Sequence, residues 1–396
     1  MLAAVLGLAG AVAIIVFWER VGRLWPVRIA SLVVVQALAL LSIGVAINRQ
    51  YSLYPRWSDI FGGDQQLTTV AKGQAGTEDA QVKEELAKQK DKHDMLELQV
   101  TIPGPRSGLT LPARVFLPPA YNDEHFKEAR FPVVEVLSSF PGSPKMNAEY
   151  FQYQVRAKEE MDAGRMSPTI IVMPEQNPVA SKDSECVNAA GGPQVGTYLS
   201  DDVHAYLTTA FRARTDRQGW SAVGFSTGGW CAVQLAVTHP DSYIAAAAVG
   251  GYFRPNKDAS AALGGAPAAL EANDPTRLVG RGGLPSLYLW LESAQDDPEA
   301  FHATTNFYGA VKPPVVAELK TLVAGGHNPR GPRLSIPAIL DWLSLHMGAP
   351  LNPPQVLNLD QGTICATAGS CKSPTPKPPG GLSQPGGVPP TRPPHA

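Results

Sequence analysis

Hydrophobic and polar positions divide this chain into segments with different patterns. Residues 1–18 and 29–47 carry no charged side chain, and each run is long enough to cross a hydrocarbon core of about 30 Å. Residues 78–94 are dense in Glu, Asp and Lys and have no apolar stripe wide enough to form a core. Between residues 95 and 348, short apolar runs alternate with helical patterns, whereas residues 349–396 become rich in Pro and Gly.

These patterns predict four segments. They are a hairpin of two transmembrane helices (1–48), a linker or stalk (49–94), a catalytic domain (95–348) and a disordered Pro/Gly-rich tail (349–396). Arg20, Arg23 and Arg28 between the apolar runs place that short loop in the cytoplasm by the positive-inside rule. The predicted location is therefore the cell membrane, with two spans and an extracytoplasmic catalytic domain. Two buried core helices are the alternative for the apolar runs.

The order of strand and helix patterns predicts the fold class. Residues 96–102 and 109–117 alternate apolar and polar positions around Gly108, which indicates an antiparallel hairpin. Later apolar runs lack alternation, as in strands buried on both faces, at 131–137, 169–173, 220–223, 245–249, 287–291 and 319–323. Helical patterns follow at 148–163, 200–211, 227–238, 298–309 and 334–346. This alternation predicts an α/β fold, a mostly parallel doubly wound sheet with leading antiparallel strands.

A Gly-x-Ser-x-Gly motif centred on Ser226 stands between a strand pattern and a helical pattern. At such a junction the motif is the nucleophile elbow of the α/β-hydrolase fold. Gly224 and Gly228 keep Cβ atoms out of a tight turn that raises the serine hydroxyl above the sheet. The following helix directs its free N-terminal amides toward a developing oxyanion. The sequence therefore predicts the α/β-hydrolase fold with Ser226 as the nucleophile.

A serine nucleophile needs a base, and the chain order in this fold is Ser, acid, His. His327 lies on a glycine-rich loop directly after the last predicted strand, where open α/β sheets build their sites. It is the predicted base, because His302 and His346 fall inside helical patterns.

The acid is expected in the loop after the strand at 287–291, where three carboxylates compete. Asp296 is the first choice because at this position the chain has left the predicted strand and entered the loop. Asp297 precedes Pro298 and could instead cap the next helix. Glu292 leaves the strand directly and could reach with its longer side chain.

The predicted oxyanion donors are two backbone amides, those of Thr227 and Phe140. Thr227 follows the nucleophile, and Phe140 lies on a loop after an earlier strand, next to Pro141, which has no N–H. Four cysteines in an extracytoplasmic domain predict two disulfides, the first tying a loop to the elbow helix and the second closing a small loop in the tail. The predicted pairs are Cys186 with Cys231 and Cys365 with Cys371, and buried free thiols are the alternative for the first pair.

Composition and residue spacing limit the kinds of partner and cofactor to be expected. The formal net charge of −2 over 396 residues gives no reason to expect nucleic acid. The Cys/His and His-x-Glu spacings of zinc sites are absent from the sequence, and we expect neither a metal nor an organic cofactor.

Residues 95–348 resemble the esterase D-like hydrolases, whose relatives include mycolyltransferases of actinobacterial envelopes. The resemblance rests on residues 115–121 (VFLPPAY), 170–174 (IIVMP), 197–203 (TYLSDDV), 222–230 (AVGFSTGGW), 235–241 (LAVTHPD) and 325–328 (GGHN). It implies Ser226 as nucleophile and His327 as base. This chain has Ser138-Ser139 where the family often has His-Gly, and its acid loop lacks the family's usual Gly-x-x-Asp.

The predicted function is a membrane-anchored, extracytoplasmic serine hydrolase that cleaves carboxylic esters through a Ser-His-acid triad and an acyl-enzyme. Its expected partners are an ester or an acylated lipid or sugar, and the membrane through residues 1–48. One alternative is an acyltransferase of the mycolyltransferase kind, which moves an acyl chain to a sugar or lipid alcohol. The other is a non-catalytic envelope-binding protein with the same fold.

Overall fold

The fold is that of a computed structural model in which residues 25–51, 80–89, 91–179 and 181–352 are described. The first predicted membrane run (1–18), the tail beyond residue 352 and the predicted Cys365–Cys371 pair lie outside these residues.

One eight-stranded sheet forms the centre, in the order β1-β2-β4-β3-β5-β6-β7-β8. The strands are β1 (Leu96–Pro103), β2 (Thr110–Leu117), β3 (Val133–Leu137), β4 (Ile170–Pro174), β5 (Trp220–Phe225), β6 (Ala245–Val249), β7 (Leu287–Ala294) and β8 (Val315–Leu322). β1 pairs antiparallel with β2, and β2 antiparallel with β4, while the other pairs are parallel. The predicted mostly parallel sheet with leading antiparallel strands is confirmed.

Burial along the strands follows their patterns. In β1, Leu98, Val100 and Ile102 are buried while the residues between them are partly exposed, as expected for a strand covered on one face. Every residue of β3, β4, β5 and β6 is buried, because helices cover both faces of the sheet centre. The nucleophile motif therefore follows a strand in the most deeply buried part of the sheet.

The longer helices of the folded domain match the predicted ones in place. The helices are Trp25–Tyr51, Ala80–Lys88, Pro144–Met146, Tyr153–Asp162, Val195–Thr197, His204–Ala210, Thr227–Thr238, Lys257–Ala262, Pro267–Ala272, Pro275–Arg281, Pro298–Ala310 and Arg330–His346. Three short helices between β6 and β7 were not predicted, because six or seven residues show little periodicity. Their starts are marked by caps: the Asn256 and Asp274 side chains accept backbone N–H bonds at two of them.

β7 and β8 are longer than the apolar runs suggested. β7 continues from the predicted end at Leu291 to Ala294, and β8 begins at Val315, four residues before the predicted start at 319. The two strands pair over their whole length, from Leu287 with Val315 to Ala294 with Leu322. β8 lies at the sheet edge and is mostly only partly buried, so polar residues interrupt its apolar pattern and hide the strand from an apolar-run criterion.

The predicted stalk contributes to the core, which corrects the expectation of a solvated spacer. Within the helix Ala80–Lys88, Val82 is 0% exposed and Leu86 8% exposed, and both belong to the main apolar cluster. They stand four residues apart, one helical turn, so a stripe of only two side chains is enough to dock a charged helix.

The second uncharged run lies in the helix Trp25–Tyr51. Over the residues that the structure describes, no helix meets the combined length and apolarity of a membrane-crossing segment.

The predicted disulfide between Cys186 and Cys231 is present, with Cα atoms 5.5 Å apart. It closes a loop of 45 residues and ties the segment after β4 to the helix Thr227–Thr238, called the elbow helix below.

Replacing both cysteines by alanine is expected to lower the free energy of unfolding by about 4 kcal/mol, because the unfolded chain loses a constraint. Urea unfolding of oxidised protein measures this loss. A Cys365→Ser/Cys371→Ser control should keep the full stability, and equal midpoints for all three proteins would contradict the expectation.

Candidate active site

Ser226 sits at a strained turn between β5 and the elbow helix. Its φ of 58° and ψ of −121° lie in a region that side chains other than glycine rarely adopt. Its N–H donates to the Val249 carbonyl of the neighbouring strand at 2.9 Å, which holds the turn in place. A Cβ on Gly224 would overlap the backbone of Gly228, so the two flanking glycines are required by close backbone packing. The serine hydroxyl is thereby fixed above the carboxyl end of the sheet.

His327 contacts the serine. Ser226 Oγ lies 2.8 Å from His327 Nε2, across 101 residues of sequence. The histidine stands on the loop after β8, and its ring packs against the Phe225 ring with centroids 5.1 Å apart. Gly250, whose φ is +58°, lies next to both rings, and a Cβ there would come within 3.2 Å of the Phe225 ring. The structure thus brings together the two residues that the sequence proposed as nucleophile and base.

Asp297 holds the other side of the imidazole. Its Oδ2 lies 2.6 Å from His327 Nδ1, and its side chain is only 10% exposed. The same carboxylate caps the helix Pro298–Ala310, with Oδ1 accepting the Ala300 N–H at 3.5 Å. Capping had been the argument for a merely structural Asp297, but its two oxygens make both contacts. A carboxylate at Nδ1 holds the imidazole so that Nε2 is free to accept the serine proton.

The first-choice acid, Asp296, does not contact His327, which corrects that expectation. Its carboxylate accepts the N–H groups of Gly325 and Gly326 at 2.9 and 2.7 Å, and these backbone bonds lower its pKa. Asp296 therefore shapes the histidine loop without reaching the ring.

Glu292 does not contact the histidine either. It lies within β7, accepts hydrogen bonds from Ser335 Oγ and Trp290 Nε1, and has its pKa raised by burial. The predicted strand end at Leu291 was three residues too early, and this displaced the expected start of the acid loop.

The loop after β3 lies against the elbow. A Cβ on Gly228 would overlap the carbonyl oxygen of Leu137, so this loop and the first turn of the elbow helix are in backbone contact. Ser138 is held by Gln176, whose Oε1 accepts the Ser138 N–H at 2.8 Å and whose Nε2 donates to its carbonyl at 2.9 Å. Sequence reasoning missed Gln176, although a polar residue just after the end of β4 is a usable signal. Phe140 follows in the same loop, and the Thr227 N–H belongs to the first helical turn, where amides have no intrahelical acceptor.

A second loop, residues 183–186, is fastened to the elbow helix. The Thr227 hydroxyl donates to Asp183 Oδ2 at 3.0 Å, and Trp230 Nε1 donates to the Glu185 carbonyl at 2.9 Å. Glu185 and Cys186 have φ values of 52° and 53°, a conformation fixed by these bonds and by the disulfide. Asp183 and Glu185 were also missed by sequence reasoning. Their signal was their position beside Cys186, the cysteine predicted to pair with the elbow helix.

Glu185 is buried beside the nucleophile. Tyr252 Oη and Asn256 Nδ2 donate to its two carboxylate oxygens, the second at 2.6 Å. Burial, reinforced by the nearby charge of Asp183, raises the pKa of Glu185 to about 7. Burial also raises the pKa of Asp183. The loop fastened to the elbow helix thus carries a buried carboxylate, Glu185, and a partly buried one, Asp183.

The raised pKa of Glu185 predicts a pH dependence of stability. The folded protein binds a proton more tightly than the unfolded chain, so the free energy of unfolding falls as pH rises from about 4.5 to about 7 and then levels off. Glu185→Gln should reduce this fall by at most about 3 kcal/mol, while Asp183 and Glu292 retain part of it. Urea unfolding at pH 5, 6, 7 and 8 tests the effect, with exposed Glu124→Gln as the matched control. A wild-type slope in Glu185→Gln would refute the assignment.

A cavity of about 590 Å³ opens beside the elbow. Apolar side chains such as Val187 and Val195 line it, together with Phe140 of the loop after β3 and Asp183 of the loop fastened to Thr227. Over the described residues, no group of three or more His, Cys, Asp or Glu is arranged to hold a metal ion. The site is therefore a Ser-His-Asp constellation with an adjoining, mainly apolar cavity.

Comparison with known proteins gives the class. A family model described as "Putative esterase" matches residues 106–312, slightly more than half of the chain, and the chain belongs to this esterase family. The match contains Ser226 and Asp297, while His327 lies beyond it. An uncharacterized protein of Corynebacterium glutamicum is 24% identical over 255 residues, which are 60% of this chain and 57% of that protein. The chain thus spans less than two thirds of the length of this curated relative.

Solved structures show the fold. A ferulic acid esterase superposes with a TM-score of 0.55 at 20% identity, covering 65% of this chain and 100% of the other. An S-formylglutathione hydrolase from Agrobacterium tumefaciens gives a TM-score of 0.55 at 19% identity, covering 66% of this chain and 98% of the other. The fluorophosphonate-binding serine hydrolase F of Staphylococcus aureus gives a TM-score of 0.52 at 17% identity, covering 63% of this chain and 99% of the other. The chain has the α/β-hydrolase fold of these proteins, and the resemblance to esterase D-like hydrolases is confirmed.

Proposed function

We propose that this protein is a serine esterase that cleaves carboxylic esters through an acyl-enzyme on Ser226. The observation that carries the proposal is the continuous contact from Ser226 Oγ to His327 Nε2 at 2.8 Å and from His327 Nδ1 to Asp297 Oδ2 at 2.6 Å. The names of two similar structures, a ferulic acid esterase and an S-formylglutathione hydrolase, support acyl-transfer chemistry at such a site without identifying the substrate.

In the proposed mechanism, His327 Nε2 takes the Ser226 proton as the serine oxygen attacks the ester carbonyl. The tetrahedral oxyanion accepts hydrogen bonds from the backbone amides of Thr227 and Phe140. Collapse breaks the bond to the alcohol, which leaves with the proton from His327. A water molecule then attacks the acyl-serine, His327 accepts its proton and returns it to Ser226, and the carboxylic acid departs. Asp297 keeps the imidazole oriented and stabilises its charged form throughout.

The test is turnover of p-nitrophenyl esters from acetate to palmitate by the full-length chain in detergent. Wild-type turnover that Ser226→Ala and His327→Ala both abolish would establish the chemistry, and covalent labelling of Ser226 by a fluorophosphonate would identify the nucleophile. A folded wild type with no turnover and no labelling would favour the non-catalytic, envelope-binding alternative.

An acyltransferase would use the same residues, with a sugar or lipid alcohol replacing water in the second step. Asp183 in the wall of the cavity supports this second candidate, because a carboxylate can accept hydrogen bonds from acceptor hydroxyls. Product analysis in the presence of a sugar separates the two. Acylated sugar formed in preference to free acid indicates a transferase, and free acid alone indicates an esterase.

Membrane anchoring through residues 1–48, with the catalytic domain outside the cytoplasm, is part of the proposal. It rests on the uncharged runs 1–18 and 29–47 and on the arginines between them. Resistance of the full-length chain to alkaline extraction from membranes, together with cleavage of its catalytic domain by protease added outside intact cells, is the expected result. Release by alkali would contradict the anchor.

A further inference from the structure

The cavity beside the elbow has the size of a substrate pocket. Its volume of about 590 Å³ falls within the range of roughly 300–1,000 Å³ that is typical of small-molecule sites. Two of its lining residues are connected to the proposed oxyanion donors. Phe140 comes from the loop after β3, and Asp183 accepts a hydrogen bond from the hydroxyl of Thr227, the residue after the nucleophile. The cavity thus reaches the residue of one proposed oxyanion donor, Phe140, and the side chain that binds the hydroxyl of the other, Thr227.

The charges of the cavity are unevenly placed. Lys182 and Asp258 are exposed residues of opposite sign, so their fields are largely screened by solvent and oppose each other. Asp183 is partly buried at the elbow end, and the hydrogen-bond donors found for it, the Thr227 hydroxyl and the Glu185 N–H, are neutral. Its negative charge is consequently not compensated by these contacts.

We propose that this cavity binds the larger of the two groups of the ester substrate and that Asp183 selects this group by its charge. Neutral or cationic groups are admitted, and anionic groups are rejected. The inference rests on the proposed esterase function and names the substrate class for that site. A carboxylate on the bound group would lie near Asp183 in a partly desolvated cavity, where like charges repel far more strongly than in water. An ammonium or hydroxyl group would instead find an acceptor.

The experiment compares kcat/KM for two matched ester series with the full-length chain. In one series the acyl chain ends in methyl, carboxylate or trimethylammonium. In the other, the phenol carries a carbamoylmethyl, carboxymethyl or aminomethyl group, so that a methylene insulates the ester from the charge. The proteins are wild type, Asp183→Asn and the control Asp162→Asn, which makes the same change on the exposed end of the helix Tyr153–Asp162. Asn keeps one acceptor oxygen for the Glu185 N–H, and its amide N–H can donate to the Thr227 hydroxyl oxygen in place of the present bond.

In at least one series, wild type should prefer the neutral over the anionic ester by about tenfold or more, the size expected for one like-charge contact. Asp183→Asn should reduce that ratio severalfold, and Asp162→Asn should leave it unchanged. A merely structural role for Asp183 would lower the rates of all esters together and keep the ratio. An unchanged ratio, or no charge preference in either series, overturns the inference while turnover of neutral esters still supports the esterase. Absence of turnover on every ester, with the protein folded, overturns the esterase function itself.

Discussion

Asp297→Asn is expected to lower kcat/KM for esters by about a thousandfold or more, because the amide can no longer hold and charge-stabilise the imidazole. The carboxylate contacts His327 Nδ1 at 2.6 Å, and an Asn side chain could donate to that nitrogen and favour the wrong tautomer. The Asn oxygen can still cap the helix Pro298–Ala310, so the unfolding temperature should change little. Hydrolysis of p-nitrophenyl butyrate measures the loss of kcat/KM, and thermal unfolding measures the change in unfolding temperature.

The adjacent residue supplies the matched control. Asp296→Asn removes a charge one position away, but Asp296 only accepts the Gly325 and Gly326 amides, and an Asn oxygen can still do so. Its activity should stay within about tenfold of wild type, since a neutral acceptor retains much of such a backbone bond. The reverse order, with Asp296→Asn inactive and Asp297→Asn active, would assign the acid to Asp296 and reject the geometry described above.

Gly228→Ala is the second large effect. The new methyl group would overlap the Leu137 carbonyl and lie 3.0 Å from the Ser138 carbonyl carbon, so either the elbow or the loop after β3 must move. Since the proposed oxyanion donors lie on these two segments, and losing one donor costs a hundredfold or more in kcat, activity should fall by about that factor. The overlap should also lower the free energy of unfolding by about 1–3 kcal/mol.

Gly331→Ala is the control for that substitution. No atom lies within 4 Å of a Cβ at Gly331, which stands in the helix Arg330–His346, so the same chemical change meets open space. This variant should keep wild-type activity and match or exceed wild-type stability. Wild-type turnover in Gly228→Ala would show that the loop after β3 does not need its present position for catalysis.

Ser226 and His327 could be found from sequence because their signals are local. A few neighbouring residues are enough to recognise each of them. Ser226 is flanked by glycines between a strand and a helix, and His327 stands in a Gly-Gly-His loop after a strand. Their 2.8 Å contact fits the mostly parallel sheet that the alternating pattern predicts, because parallel strands end at the same edge of the sheet. Their catalytic roles stay predictions until the variants are measured.

The acid could not be chosen in the same way because its position depends on pairing between strands. The last residues of β7 form a strand only through their ladder with β8, whose polar edge pattern gave a late start in the sequence. Asp296 and Asp297 are adjacent and chemically alike, and only the backbone direction after Ala294 decides which one reaches the ring.

Long-range contacts also explain the other differences. Gln176, Asp183 and Glu185 gain their roles from elements far away in sequence, and their local signals, a position just after β4 or beside Cys186, do not reveal those partners. The docking of Val82 and Leu86 depends on a partner surface that a charged helix does not reveal by itself.

The position of β8 has a consequence for how the protein loses activity on heating. Within the described sheet β8 pairs only with β7, and of its residues Val316 and Thr321 are exposed while only Val315 is buried. Edge segments open locally at a lower free-energy cost than a central strand, without unfolding the rest. His327 lies on the loop that follows β8, whereas Ser226 directly follows β5 in the centre of the sheet. We therefore expect heat inactivation to begin with detachment of this peripheral segment, reversible on brief cooling, at temperatures where amides of β3, β5 and β6 remain protected from hydrogen exchange.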